Sequence, residues 1–266
     1  MYADIVIKSN ALFDSIAQTP FEGFVAMKGN KIIGVGGIKD ADAFVGEGTK
    51  VYDYKDKLVM AGFHDSHTHL IMAGMYKSYV NLLNARSEDE AALMVKRAAE
   101  ESEDKECWII GFSWYHVFWD NRTLPTKESL DRYFPDRPVF LLNAEAHGAW
   151  VNSKALEIAG ITKETPDPFG GEIARDEKGE ATGFLYESAT GLVGKYALVF
   201  STEQEKTLMR AFLAGAAEYG ITSVNDVQPY FHGNMGDLEV YSQMDQANEL
   251  TVRIHAAPDL LGDLNE

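Results

Sequence analysis

Apolar positions along the first 60 residues come in short runs with a two-residue period. Asp4 to Lys8 alternates apolar and polar side chains, the signature of a half-buried strand. Phe24 to Lys28 and Lys31 to Val35 are apolar-rich runs joined by Gly29-Asn30, a two-residue link that predicts a hairpin because both positions tolerate positive φ. Val51 to Tyr54 and Leu58 to Phe63 add two further short strands.

Beyond Phe63 the pattern changes to strands alternating with helices. Ser87-Glu-Asp-Glu90 has capping-box spacing and opens a helix expected to reach about Ser102. Cys107 to Phe112 reads as a buried strand, Thr126 caps a short helix to Tyr133, and Pro138 to Leu142 is again a strand. Asn152 or Ser153 caps a helix that Gly160 closes, and Gly171 to Arg175 with Glu180 to Leu185 forms a second hairpin. Thr202-Glu-Gln-Glu205 predicts another capping box, with its helix ending at Gly220. Ile221 to Val227 and Thr251 to Ala256 are strands flanking a helix over Gly236 to Asn248. Repeated units of this length imply an α/β fold with a parallel sheet. A closed barrel needs eight such units, and about four or five fit here.

Composition narrows the function classes. Lys plus Arg is 24 and Asp plus Glu is 41 across 266 residues, a formal balance of −17. Nucleic acid and anionic membrane are poor partners for that charge, because binding them depends on clustered cations. Cys107 is the one cysteine and sits in an apolar run, so no disulfide framework exists and an inert buried thiol is expected. The first residues have no basic region and no apolar signal core, and no apolar stretch approaches the roughly 20 residues that span a bilayer. The expectation is a soluble, cytoplasmic protein with no membrane partner.

The chemistry concentrates in Met60-Ala-Gly-Phe-His-Asp-Ser-His-Thr-His69. On a strand, Phe63, Asp65, His67 and His69 face one way and His64, Ser66 and Thr68 the other. His67 and His69 then present two imidazoles side by side, half of a tetrahedral zinc site. Asp65, on the same face, is placed to orient a ligand from behind, and His64 is excluded by the same alternation. A bare His-x-His pair recurs by chance; its place after a glycine-bearing turn, at the first strand of the α/β region, is what raises its weight.

This segment resembles the signature of the amidohydrolase superfamily, Pro-Gly-Phe-x-Asp-x-His-x-His, with Ala61 in place of the proline. Asp136-Arg-Pro-Val139, His147, Trp150-Val-Asn-Ser-Lys-Ala-Leu156 and Ala159-Gly-Ile161 are similar to the branch containing N-substituted formamide deformylase. So are Gly171-Glu-Ile-Ala-Arg-Asp176, Thr182-Gly-Phe-Leu-Tyr-Glu187 and Gly220-Ile-Thr-Ser-Val-Asn-Asp226. The resemblance implies a (β/α)8 TIM barrel, only its N-terminal half in this chain, with residues 1–60 contributing part of a small β-sandwich. Residues 61–266 would form the first part of the barrel, with an insertion around 112–190. It further implies one or two divalent ions, zinc foremost, and hydrolysis of a small-molecule amide at a carbon–nitrogen bond other than a peptide bond, in a chain compatible with homo-oligomers. The remaining metal residues of that family find no match here.

The resemblance puts His147 in the substrate pocket as a catalytic group; a loop histidine bonded locally is the plain alternative. Asp226, at the end of its strand, is a second catalytic candidate, against a structural cap. Glu187 is expected near metal or substrate, against a carboxylate serving backbone N–H groups. Trp114, within the cluster Trp108, Trp114, Tyr115, Phe118 and Trp119, is a substrate-lining candidate, although aromatics this dense more often fill core. His255 is a weaker third-ligand candidate, and His116 and His232 are expected in exposed loops. Two histidines by themselves do not hold the ion well or lower the pKa of its water to about 7, so the chain by itself is expected to be catalytically silent. The rival class is a non-catalytic product: a truncated chain, or a binding module that kept the fold and lost the chemistry.

Overall fold

The structure is a computed structural model describing residues 1–102, 108–227 and 238–257. Cys107, His232 and Gly236 lie outside the described residues. The chain divides into two compact units, Met1–Phe63 and His64–Glu266.

The first unit is a five-stranded sheet of β1 (Ile5–Phe13), β2 (Phe21–Lys28), β3 (Lys31–Gly37), β4 (Lys50–Asp53) and β5 (Leu58–Met60). Strands β3, β2 and β1 are antiparallel neighbours, and the far edge of β1 is shared between β4 and β5, both parallel to it. The β2–β3 hairpin closes on Gly29-Asn30 as the pattern predicts, with Gly29 alone at positive φ (56°). One sheet face buries Val6, Phe24 and Ala26 against Ala41 of the helical turn Ile38–Phe44.

The second unit opens with β6 (Phe63–Thr68), α1 (Leu70–Ser78), β7 (Val80–Asn81), α2 (Glu88–Glu101) and β8 (Ile109–Trp114). It continues through α3 (Lys127–Asp131), β9 (Val139–Asn143), β10 (Gly148–Val151), α4 (Ser153–Ile158), β11 (Gly171–Arg175) and β12 (Ala181–Glu187). The last described elements are α5 (Thr190–Ala197), α6 (Thr202–Glu218), β13 (Ile221–Val227), α7 (Leu238–Gln246) and β14 (Arg253–Ala257). Two predicted caps form, since Ser87 Oγ accepts from the Glu90 amide and Asn152 Oδ1 from the Ala155 amide, whereas Thr126 stands at the cap position of α3 without a side-chain cap bond. The box of α6 sits one residue earlier than predicted, on Ser201 and Gln204.

Two sheets result. One has six strands in the order β11-β12-β10-β9-β8-β7, with β7, β8 and β9 parallel and the rest antiparallel; the other has three, β14-β13-β6, with β13 and β14 parallel. The expected closed barrel is not formed among the described residues. Alternate side chains of β8 to β10 enter two different cores: Ile110, Phe112, Phe140, Leu142 and Val151 join Leu70, Leu213 and Val224, whereas Ile109, Leu141 and Trp150 join Trp119 and Phe184; Trp114 reaches this second core past an irregularity at Ser113, whose φ is 69°. A sheet buried on both faces explains why Val139 to Leu142 reads as a continuous apolar run.

Helices α1 and α6 pack closely. A Cβ on Gly74 would run into the backbone carbonyl of Leu208. Glycine at 74 is therefore what lets these two helices approach.

Candidate functional site

His67 and His69 stand at the end of β6, where the chain passes into α1. Their ring centroids are 5.3 Å apart and the rings meet edge to face at 82°. His67 is exposed and His69 half-buried. Neither is plugged into the apolar cores. Asp65 bends back so that its Oδ1 accepts the His67 amide at 3.1 Å, fixing the backbone beneath the pair. His64, on the alternate face, bonds instead to Ser223 on β13, with 2.7 Å between Nδ1 and Oγ.

The support under His69 comes from far away in sequence. The first N–H groups of a helix lack intrahelical partners, and His69, at the cap position of α1, gives no side-chain cap. Asp226 of β13 supplies the acceptor: its Oδ1 takes the Leu70 amide at 3.0 Å, and its Oδ2 takes the Tyr241 hydroxyl at 2.7 Å. The carboxylate is 1% exposed. Burial pushes its pKa up from the ordinary value, offset in part by those two bonds and by the nearby His69. With both oxygens engaged, Asp226 acts on the backbone at the end of β6.

A second polar cluster lies at the ends of β8, β9 and β12. His147 Nδ1 is 2.8 Å from Glu187 Oε2, so the structure joins two residues that the sequence offered separately. That carboxylate, with Glu145 adding to it, raises the imidazole pKa above its ordinary value. Asn143, missed in the sequence reading, holds the turn: its buried Oδ1 accepts the amides of His147 and Gly148 at 3.0 and 3.1 Å. A polar residue closing the apolar run Val139-Phe-Leu-Leu-Asn143 was the available signal. Tyr115 donates its hydroxyl to Glu145 at 3.0 Å.

Two expectations need correcting. Trp114 is fully buried, donates Nε1–H to the Leu141 carbonyl, and packs on Trp119, Trp150 and Phe184, so it fills core and cannot line a substrate site. His116 is half-buried in a short helical turn rather than exposed in a loop. His255 is exposed on β14 in register with Asn225. Among the described residues, no three His, Cys, Asp or Glu side chains come together as a metal cluster, so β6 offers two donors. A cleft of about 630 Å³ between α7 and β14, lined by Tyr241, Asp245, Arg253 and others, includes neither His67 nor His69. No described helix is long and apolar enough to cross a membrane.

Residues 50–266 match the model of the amidohydrolase family. Protein LONG AFTER FAR-RED 3 of Arabidopsis thaliana is 32% identical over 257 residues, covering 94% of this chain and 44% of that protein. N-substituted formamide deformylase of Arthrobacter pascens is 30% identical over 171 residues, 64% of this chain and 31% of that one. The crystal structure of an uncharacterized metal-dependent hydrolase from Pyrococcus horikoshii superposes with a TM-score of 0.69 at 23% identity, covering 96% of this chain and 48% of its own. The chain spans less than half the length of each of these proteins. It belongs to the amidohydrolase family, and its fold is that of the metal-dependent hydrolases.

Proposed function

We propose that this chain carries the first part of a metal-dependent hydrolase that cleaves the carbon–nitrogen bond of N-acyl or N-formyl amines. The observation that carries the reading is the His67–His69 pair, two accessible imidazoles 5.3 Å apart at a strand end. They fit two corners of a tetrahedral zinc shell; the other donors are not gathered with them among the described residues. A divalent ion held there would polarise a carbonyl and lower the pKa of a bound water. Asp65 and Asp226 would keep the two ligands aimed by fixing the backbone on either side of them. The amide substrate class is supported by similarity to a relative named as a formamide deformylase. The two α/β sheets are read as part of a (β/α)8 barrel whose strand ends bear the chemistry.

With two donors in hand, the chain alone is read as catalytically silent. Metal content after equilibration with zinc tests the assignment. Wild type and His64→Ala are expected to retain zinc equally, whereas His67→Ala and His69→Ala lose it. Equal retention in all four would end the metal reading.

A further inference from the structure

The peptide unit between His69 and Leu70 is held at both of its polar atoms. Its carbonyl accepts the Ala73 amide at 2.8 Å, the first bond of α1, and its N–H donates to Asp226 Oδ1 at 3.0 Å. A peptide unit is planar, so bonding both atoms fixes the whole of it. His69, at φ −117° and ψ 93°, is left little freedom about the bond joining its Cα to that plane. The direction of its Cα–Cβ bond, the stem of the imidazole, is set with it. What steadies Asp226 lies on another element. Its second oxygen accepts the hydroxyl of Tyr241, on α7, at 2.7 Å. Tyr241 is 7% exposed, and its ring packs in the same core as Leu70, Ile71 and Val224. A ring fixed by close packing delivers its hydroxyl to one place.

We propose that Tyr241 is a positioning residue for His69, acting through Asp226, so that α7 helps set where the second imidazole of the pair points. The proposal rests on the metal reading above and adds to it a part of the molecule that touches neither ligand. A buried carboxylate is costly unless its oxygens are hydrogen-bonded. When the hydroxyl is removed, Oδ2 loses a donor where Asp226 is shut off from water, and the group turns about its Cβ–Cγ bond in search of another. The bond from the Leu70 amide is disturbed by that turn, and with it the plane that fixes His69. Tyr241→Phe removes only this oxygen and leaves the ring in its core.

Three readings on this chain test the chain of contacts. In the metal-free chain, Tyr241→Phe is expected to shift the Leu70 amide and His69 imidazole ¹⁵N resonances. The Trp114 indole N–H, in the other core, should stay in place and shows the variant folded. Zinc, titrated into the metal-free chain and followed by calorimetry, should bind the variant about tenfold more weakly than wild type. In an Asp226→Ala background the same change at Tyr241 should cost no further affinity, because the hydroxyl has no carboxylate to act through. Tyrosine acting only as core packing would cost the same in both backgrounds. The first two readings need no change at Asp226 and decide the matter even if Asp226→Ala does not fold. Leu70 and His69 resonances unmoved by Tyr241→Phe, or equal zinc losses in the two backgrounds, overturn the proposal. Should wild type take up no zinc while the metal-free resonances move as stated, the metal reading falls and the support of His69 by Tyr241 and Asp226 stands.

Discussion

The end of β6 and the end of the six-stranded sheet are built alike and finished differently. Each places exposed histidine chemistry above a buried polar support: Asp226 under His69 and Leu70, Asn143 under His147 and Gly148. At β6 the support bonds the backbone and the two rings are left to each other. At the six-stranded sheet the ring itself is bonded, by Glu187. The difference teaches what each end expects. Among the described residues the β6 imidazoles keep their ring nitrogens open, as the proposed cation site requires, whereas the His147 ring is held in one orientation through Nδ1.

The supports should show the largest effects. Asn143→Ala and Asp226→Ala each leave two donors without an acceptor in buried or partly buried surroundings, which is expected to cost about 2–4 kcal/mol in urea unfolding. A loss below about 1 kcal/mol at either position would mean that the support does not hold its histidine turn. Zinc linkage separates the two ends next. At a hundredfold excess over its dissociation constant, zinc should stabilise wild type by about 2.7 kcal/mol. His147→Gln should respond in the same way, and His67→Ala should not respond at all.

Metal-free His67→Ala should change stability by less than about 0.5 kcal/mol, because the side chain is exposed and packs into neither core. The smallest effect is the surface pair. The folded pKa of His147 lies above 6.5, so the pair contributes fully below that pH and the contribution is lost as pH rises through the folded value. Glu187→Gln should therefore be less stable than wild type by a few tenths of a kcal/mol at about pH 5.5, with the gap closing in alkaline solution.

Local patterns made much of this molecule legible. The Gly29-Asn30 hairpin, the caps at Ser87 and Asn152, and the apolar strands β8 and β9 are written in neighbouring residues, and the structure has them. The α6 cap was misplaced by one residue because Ser201 and Thr202 both fit the spacing to an acceptor three residues on. The His67–His69 juxtaposition was readable because a strand projects i and i+2 together. The supports were not. Asp226 reaches Leu70 across 156 residues and Glu187 reaches His147 across 40, and no local period encodes such meetings. Trp114 misled because an aromatic cluster has one sequence signature whether it fills core or lines a cleft.

Gly74 has a reach beyond the helix contact it permits. It lies five residues after His69, in a helix that begins at Leu70 and leaves no slack between the two. A methyl group there, in Gly74→Ala, would push α1 away from Leu208, and α1 is joined directly to His69 at its cap. The spacing of the proposed metal ligands would then depend on a residue with no side chain at all.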